Sequence, residues 1–163
     1  MEHTTEALAP VNVIRARVKE LRGRSGITAA ELAERLTALG VNWNRSIVAN
    51  FEGGRRPGVS VVEWLALAQV LNVAPLHLLV PPDAPDDAPY LFTPQRWADV
   101  RDVRNWVRGF VAINSENPQR FFREGPREEW EYLHWSGEIP LDQPPKPPAD
   151  WGKSRPAHGG EDG

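Results

Sequence analysis

Residues 44–52 (Asn44-Arg45-Ser46-Ile47-Val48-Ala49-Asn50-Phe51-Glu52) combine two kinds of side chain at helical spacing. Val48 and Phe51, three apart, give an inward apolar face, while Arg45, Ser46, Ala49 and Asn50 can face out. A guanidinium such as that of Arg45 can bond a guanine edge at two points, and the Asn50 amide can bond a base or a phosphate. A helix of this kind, joined by a turn to a preceding one, can lie in the DNA major groove with its N-terminal residues at base edges. The base-contacting set would then be Asn44, Arg45, Ser46, Ala49 and Asn50. An ordinary amphipathic helix with a solvated polar face fits the same pattern, and this segment alone does not choose between the two.

No other chemistry competes strongly. Glu128, Glu129 and Glu131 stand at like-charge spacing on a solvated face, and there is no acid/base pair, glycine-rich phosphate loop or activated nucleophile. No catalytic residue is expected, and the chain reads as a non-enzyme. The absence of cysteine excludes disulfides and thiolate metal sites. His3, His77, His134 and His158 are scattered, so neither a metal nor a cofactor is expected. No apolar run approaches the roughly 18 residues of a membrane span, and no secretory pattern opens the chain. A cytoplasmic protein with no membrane partner follows as the expectation. Asn44-Arg45-Ser46 fits a glycosylation acceptor, which without a secretory signal reads as chance.

The elements that must position residues 44–52 are legible around them. Ile14, Val18 and Leu21 recur at spacings of four and three, one face of a helix that Gly23 and Gly26 close. Thr28-Ala29-Ala30-Glu31 is a capping box opening a second helix, with Leu32, Leu36 and Leu39 inward and Gly40 as its stop. Asn44 to Glu52 is the third helix, ended by Gly53-Gly54. Ser60-Val61-Val62-Glu63 is a second capping box, and Trp64, Leu67 and Leu71 form the buried stripe behind it. Pro75 suits the first turn of a fifth, short helix. The fold class is therefore all-α: a five-helix domain over residues 12–81, preceded by a disordered leader at 1–11.

Charge divides the chain. Residues 12–58 hold nine Lys/Arg against four Glu, a net +5, and the remainder holds ten basic against eighteen acidic groups, a net −8. The overall −3 hides a basic segment suited to a polyanion. Residues 82–89, acidic and proline-rich, read as an extended linker. Beyond it, Thr93-Pro94 reads as the start of a helix running to Gly109, with Trp97, Val100, Val103 and Trp106 near a three-residue spacing. Helices from Asn117-Pro118 to Gly125 and from Pro126 to Gly137 complete a small Trp-rich helical unit at 90–137. Residues 138–163, with six prolines, read as a disordered tail, although Pro144-Pro145-Lys146-Pro147-Pro148 could serve as a polyproline ligand.

The stretch Ile14 to Val80 resembles the Cro/C1-type (XRE family) helix-turn-helix domain. The matching motifs are Ile14…Leu21-Arg22, Ile27-Thr28-Ala29-Ala30-Glu31-Leu32-Ala33-Glu34-Arg35-Leu36 and Ser46-Ile47-Val48-Ala49-Asn50-Phe51-Glu52-Gly53-Gly54-Arg55-Arg56. Leu67-Ala68…Leu71-Asn72-Val73…Leu76…Leu79 completes them. The resemblance implies a lambda-repressor-like DNA-binding fold. It also implies phosphate contacts by Arg55 and Arg56, and by Thr28, with Arg24, Arg15 and Arg22 as weaker candidates. Glu52 would anchor the loop after the third helix, paired with Arg35 or with backbone amides. Ala29 departs from the family, many members of which carry a phosphate-bonding Gln there, so Thr28 or the helix amides would substitute. The segment 37–43 is longer than the usual turn, as in many actinobacterial and actinophage regulators. Trp43 would pack beneath that turn, the alternative being the DNA backbone.

The expected function is a sequence-specific DNA-binding transcriptional regulator, a repressor acting by operator occupancy. Its partner would be double-stranded DNA, bound as a homodimer formed through residues 90–135. The alternative is a protein-interaction module, an antitoxin or accessory factor, with DNA contact secondary.

Overall fold

The computed structural model describes residues 8–113, 120–121 and 124–126. The chain divides into two compact units, residues 1–121 and 122–163, and every element named below lies in the first. The order is α1 (Pro10–Arg24), α2 (Ala29–Ala38), α3 (Arg45–Glu52), α4 (Val61–Val70), α5 (Pro75–Leu79), β1 (Pro89–Thr93), β2 (Arg96–Asp99) and α6 (Val100–Val107).

Local chemistry sets most of the helix starts. Pro10 sits in the first turn of α1, where its missing N–H costs nothing. Both capping boxes close fully: the Thr28 and Ser60 side chains accept from the amides of Glu31 and Glu63, whose carboxylates accept from the Thr28 and Ser60 amides in return. Asn44 caps α3 through Oδ1, which accepts from the Ile47 amide at 2.9 Å. α2 ends at Ala38, and Gly40 takes a φ of +82° that L side chains rarely adopt. The extra residues of the long turn therefore form the connection to Asn44.

Ile14 and Val18 of α1, Leu32 and Leu36 of α2, Val48 and Phe51 of α3, Leu67 of α4 and Leu78 of α5 share one apolar core. Full burial of each large side chain contributes about 1.5–3 kcal/mol. Trp64 is only half-buried, and the buried stripe of α4 runs through Ala66, Leu67, Ala68 and on to Leu71. Among the described residues the Trp64 indole N–H is enclosed without an acceptor.

The all-α expectation is corrected beyond residue 88. The helix expected from Thr93-Pro94 begins only at Val100, because residues 89–99 form an antiparallel hairpin pairing Pro89 with Asp99, Tyr90 with Ala98 and Leu91 with Trp97. Leu8, expected in a disordered leader, bridges to Tyr90 in parallel: its amide donates to Pro89 O at 3.1 Å and its carbonyl accepts from the Leu91 amide at 2.6 Å. Tyr90, Val100 and Val103 pack with Val13 and Val80 in a second cluster, and the Tyr90 hydroxyl donates to Leu79 O at 2.6 Å. Burial raises the Tyr90 phenol above its ordinary pKa.

Residues 82–89, expected as an extended linker, fold back in turns. Arg104 donates to Pro81 O and to Asp86, both at 3.1 Å, and the Val100 amide donates to Ala88 O. With the Ala88 amide donating to Pro85 O and the Arg101 amide to Asp86 O, the backbone of the stretch gains partners that an extended chain would take from water. Residues 1–7 of the expected leader, most of the two helices expected between Asn117 and Gly137, and the expected tail at 138–163 lie outside the described residues.

Candidate nucleic-acid interface

α3 presents the chemistry expected of it. Val48 and Phe51 are fully buried, while Arg45, Ser46 and Ala49 are exposed and Asn50 is half-buried. Positions 45, 46, 49 and 50 fall on one helical face. Asn44 stands at the start of that face, with its side-chain oxygen committed to the cap and its amide N–H groups left to donate. Asn50 lines an open cleft together with Asn42, Ile47, Arg55, Arg56 and Pro57, so α3 and the loop after it form one surface.

Three arginines of that region are committed to holding α3. Arg15 of α1 donates from Nε to Phe51 O at 2.7 Å and from Nη2 to Arg56 O at 3.1 Å, and its guanidinium lies over the Phe51 ring. Arg22 grips Glu52 at two points, 2.7 and 2.8 Å, and also donates to Ile27 O at 2.9 Å. Hydrogen bonding to Glu52, only partly opposed by desolvation, raises the Arg22 pKa above its ordinary value. Glu52 is thus partnered by Arg22, not by the expected Arg35 or backbone amides, because Arg35 sits on the exposed side of α2. Arg56 lies 4.6 Å over the Trp43 ring and bonds Glu63 at 2.6 Å.

Trp43 packs beneath the long turn. It is buried, tilted against Phe51 with ring centroids 5.4 Å apart, and its indole N–H donates to Glu63 at 2.7 Å. Burial pushes the Glu63 carboxyl up, but hydrogen bonds from the Ser60 amide, Trp43 and Arg56 outweigh it and bring the pKa down to about 2. Glu63 therefore stays ionised and ties Trp43, Arg56 and the start of α4 together.

The expected phosphate-contacting residues differ in what remains available. Arg55 is exposed, and among the described residues its side chain makes no hydrogen bond or ion pair; the same is true of Arg45. Arg24, two-thirds exposed, is paired with Glu20, which also takes Arg17. The Thr28 amide and hydroxyl are both committed to Glu31, whose pKa those same bonds lower. The amides of Ala29 and Ala30 at the start of α2 are left to meet an anion. Arg56 is about 29% exposed and already engaged on both sides.

Sequence reasoning missed the support shell: Arg15 on the α3 carbonyls, Arg22 on Glu52, and Glu63 under Trp43 and Arg56. Its local signs are the Glu52 carboxylate, which needs a partner, and the helical position of Glu63 in the second capping box. Among the described residues no group of His, Cys, Asp or Glu is placed to hold a metal ion, and no helix is long and apolar enough to cross a membrane.

Residues 14–79 match a family model described as a helix-turn-helix domain, covering less than half of the chain. Searches of the curated proteins and of the solved structures give no match. The family match supports a helix-turn-helix DNA-binding family for this segment and, with it, a DNA-binding and regulatory activity.

Proposed function

We propose that this chain is a sequence-specific DNA-binding transcriptional regulator of the XRE type, a repressor acting by occupying operator DNA. The observation that carries this reading is α3: a capped eight-residue helix anchored on Val48 and Phe51, with Arg45, Ser46, Ala49 and Asn50 along its outer side. Arg45 reads a guanine edge, Asn50 and Asn44 donate to bases, and Ser46 and Ala49 make short-range contacts that larger side chains would block. Arg55 contacts a phosphate beside the groove and fixes the register, with the α2 amides and Arg24 as further backbone contacts.

The chain works as a homodimer on two half-sites roughly 34 Å apart, since one short helix offers few base contacts. Trp97, 62% exposed on β2, supports placing the dimer contact within residues 90–135. The test is selection of bound fragments from a random duplex library at moderate salt. A recurrent two-half-site sequence is the expected result. Failure to retain any duplex even at low salt would instead favour the interaction-module reading, whose support is the exposed apolar face of Val61, Val62 and Leu65 on α4.

A further inference from the structure

We infer that Arg15 is a positioning residue that sets the Arg55 side chain for its phosphate contact, an inference that rests on the DNA-binding reading above. Arg55 lies in the segment 53–56 after α3, whose two ends one guanidinium spans. Arg15 bonds Phe51 O, in the last turn of α3, and Arg56 O, just beyond Arg55, while its third contact, 2.8 Å to Asn12 Oδ1, fixes the plane of the group. Residue 56 is held independently as well. Its amide donates to Asn50 O at 3.0 Å, and its side chain lies between the Trp43 ring and Glu63. Gly54 turns the chain at a φ of +79° beside the Arg15 guanidinium, where a Cβ would come within 3.9 Å of Cζ.

The result is a turn fixed at both ends that carries Arg55, a cation without a partner among the described residues. A phosphate contact made from a preset turn does not have to order that turn on binding, so the contact keeps more of its gross strength. Each of the three Arg15 nitrogens makes a bond within the fold, using three of its five N–H groups, so its main commitment is to the turn and not to DNA. The planar fork is essential to this role. A lysine keeps the charge but offers one ammonium, which cannot hold both carbonyls and Asn12 in a single plane.

The experiment is a double-mutant cycle of Arg15→Lys and Arg55→Ala in the full chain, read as affinity for a random-sequence duplex over a salt series. Arg15→Lys is expected to weaken binding roughly three- to tenfold. It should also lower the salt slope by about one, as Arg55→Ala does. Adding Arg55→Ala to Arg15→Lys should then cost little more, since the contact is already lost. Wild-type affinity for Arg15→Lys, or losses that simply add, would overturn the inference while leaving DNA binding intact. No binding by the unaltered chain would overturn the DNA-binding reading and this inference with it. A measurement that needs no variant stands beside the cycle: backbone order parameters near 0.85 are expected at residues 53–56 of the unaltered chain, and values below about 0.6 would overturn it.

Discussion

Arg22 and Glu52, thirty residues apart, meet in a two-point ion pair that fastens α1 to the end of α3, with the Glu52 side chain only 8% exposed. Arg22 lies on the polar flank of its helix and Glu52 on the last residue of the helix that carries the candidate base-reading side chains. The pair therefore sets where that helix ends relative to the core beneath it. Opposite charges so enclosed matter most when one of them is removed.

Arg22→Met leaves the Glu52 carboxylate without its two strong donors. A loss of about 2–4 kcal/mol in unfolding free energy is expected from urea titration, with Glu52→Gln costing less because it keeps a neutral acceptor. The double change to Met at 22 and Leu at 52 should recover part of the loss. Equal stability of Arg22→Met and the unaltered chain would show that the pair carries no weight.

Acid should loosen the α3–α4 connection. The folded Glu63 pKa is about 2 against an ordinary 4.5, so its share of stability is fully present above pH 4.5 and is lost as pH falls towards 2. Glu31, lowered by its capping bonds, adds to the same trend. Unfolding midpoints measured from pH 6 to pH 2 should decline, and Glu63→Gln should flatten the decline. An undiminished slope in that variant would assign the acid sensitivity elsewhere.

Arg45 and Arg55 should separate in a binding assay. Arg45→Ala is expected to cost about 1–3 kcal/mol on a selected sequence and little on random duplex. Arg55→Ala should weaken both and make the salt dependence shallower by about one unit of slope. Equal loss from Arg45→Ala on both duplexes would remove Arg45 from base reading.

Trp97→Ser should leave the monomer fold intact, since the indole is largely exposed, but should shift sedimentation from dimer to monomer. A dimer that persists in this variant would move the contact away from the hairpin.

The parts of the fold written in neighbouring residues were legible in sequence. Thr28 with Glu31 and Ser60 with Glu63 are contacts across three residues, and each opens a helix where the pattern placed it, whereas the Asn44 cap on Ile47 went unread. The hairpin was not legible, because Trp97 of β2 continues the spacing of Val100, Val103 and Trp106, which do lie in α6. What overrides that spacing at Trp97 is the pairing of β2 with β1, Tyr90 opposite Ala98, and β1 is in turn bridged by Leu8, a partner more than eighty residues away. The candidate site divides the same way. The outer side of α3 follows from its own periodicity, whereas the choice of Arg22 for Glu52 depends on α1 meeting the end of α3, and that of Arg56 for Glu63 on how the loop after α3 returns to α4.

The bond pair between Leu8 and the outer edge of β1 has a practical consequence for shortened forms of this protein. A chain begun at Pro10 would keep α1 whole yet strip the partner from the Leu91 amide and the Pro89 carbonyl. That would bare a strand edge able to recruit the same segment of another molecule. Truncation at the apparent helix boundary would thus trade a neat end for a sticky one, and an extension fused ahead of Leu8 is the safer alteration.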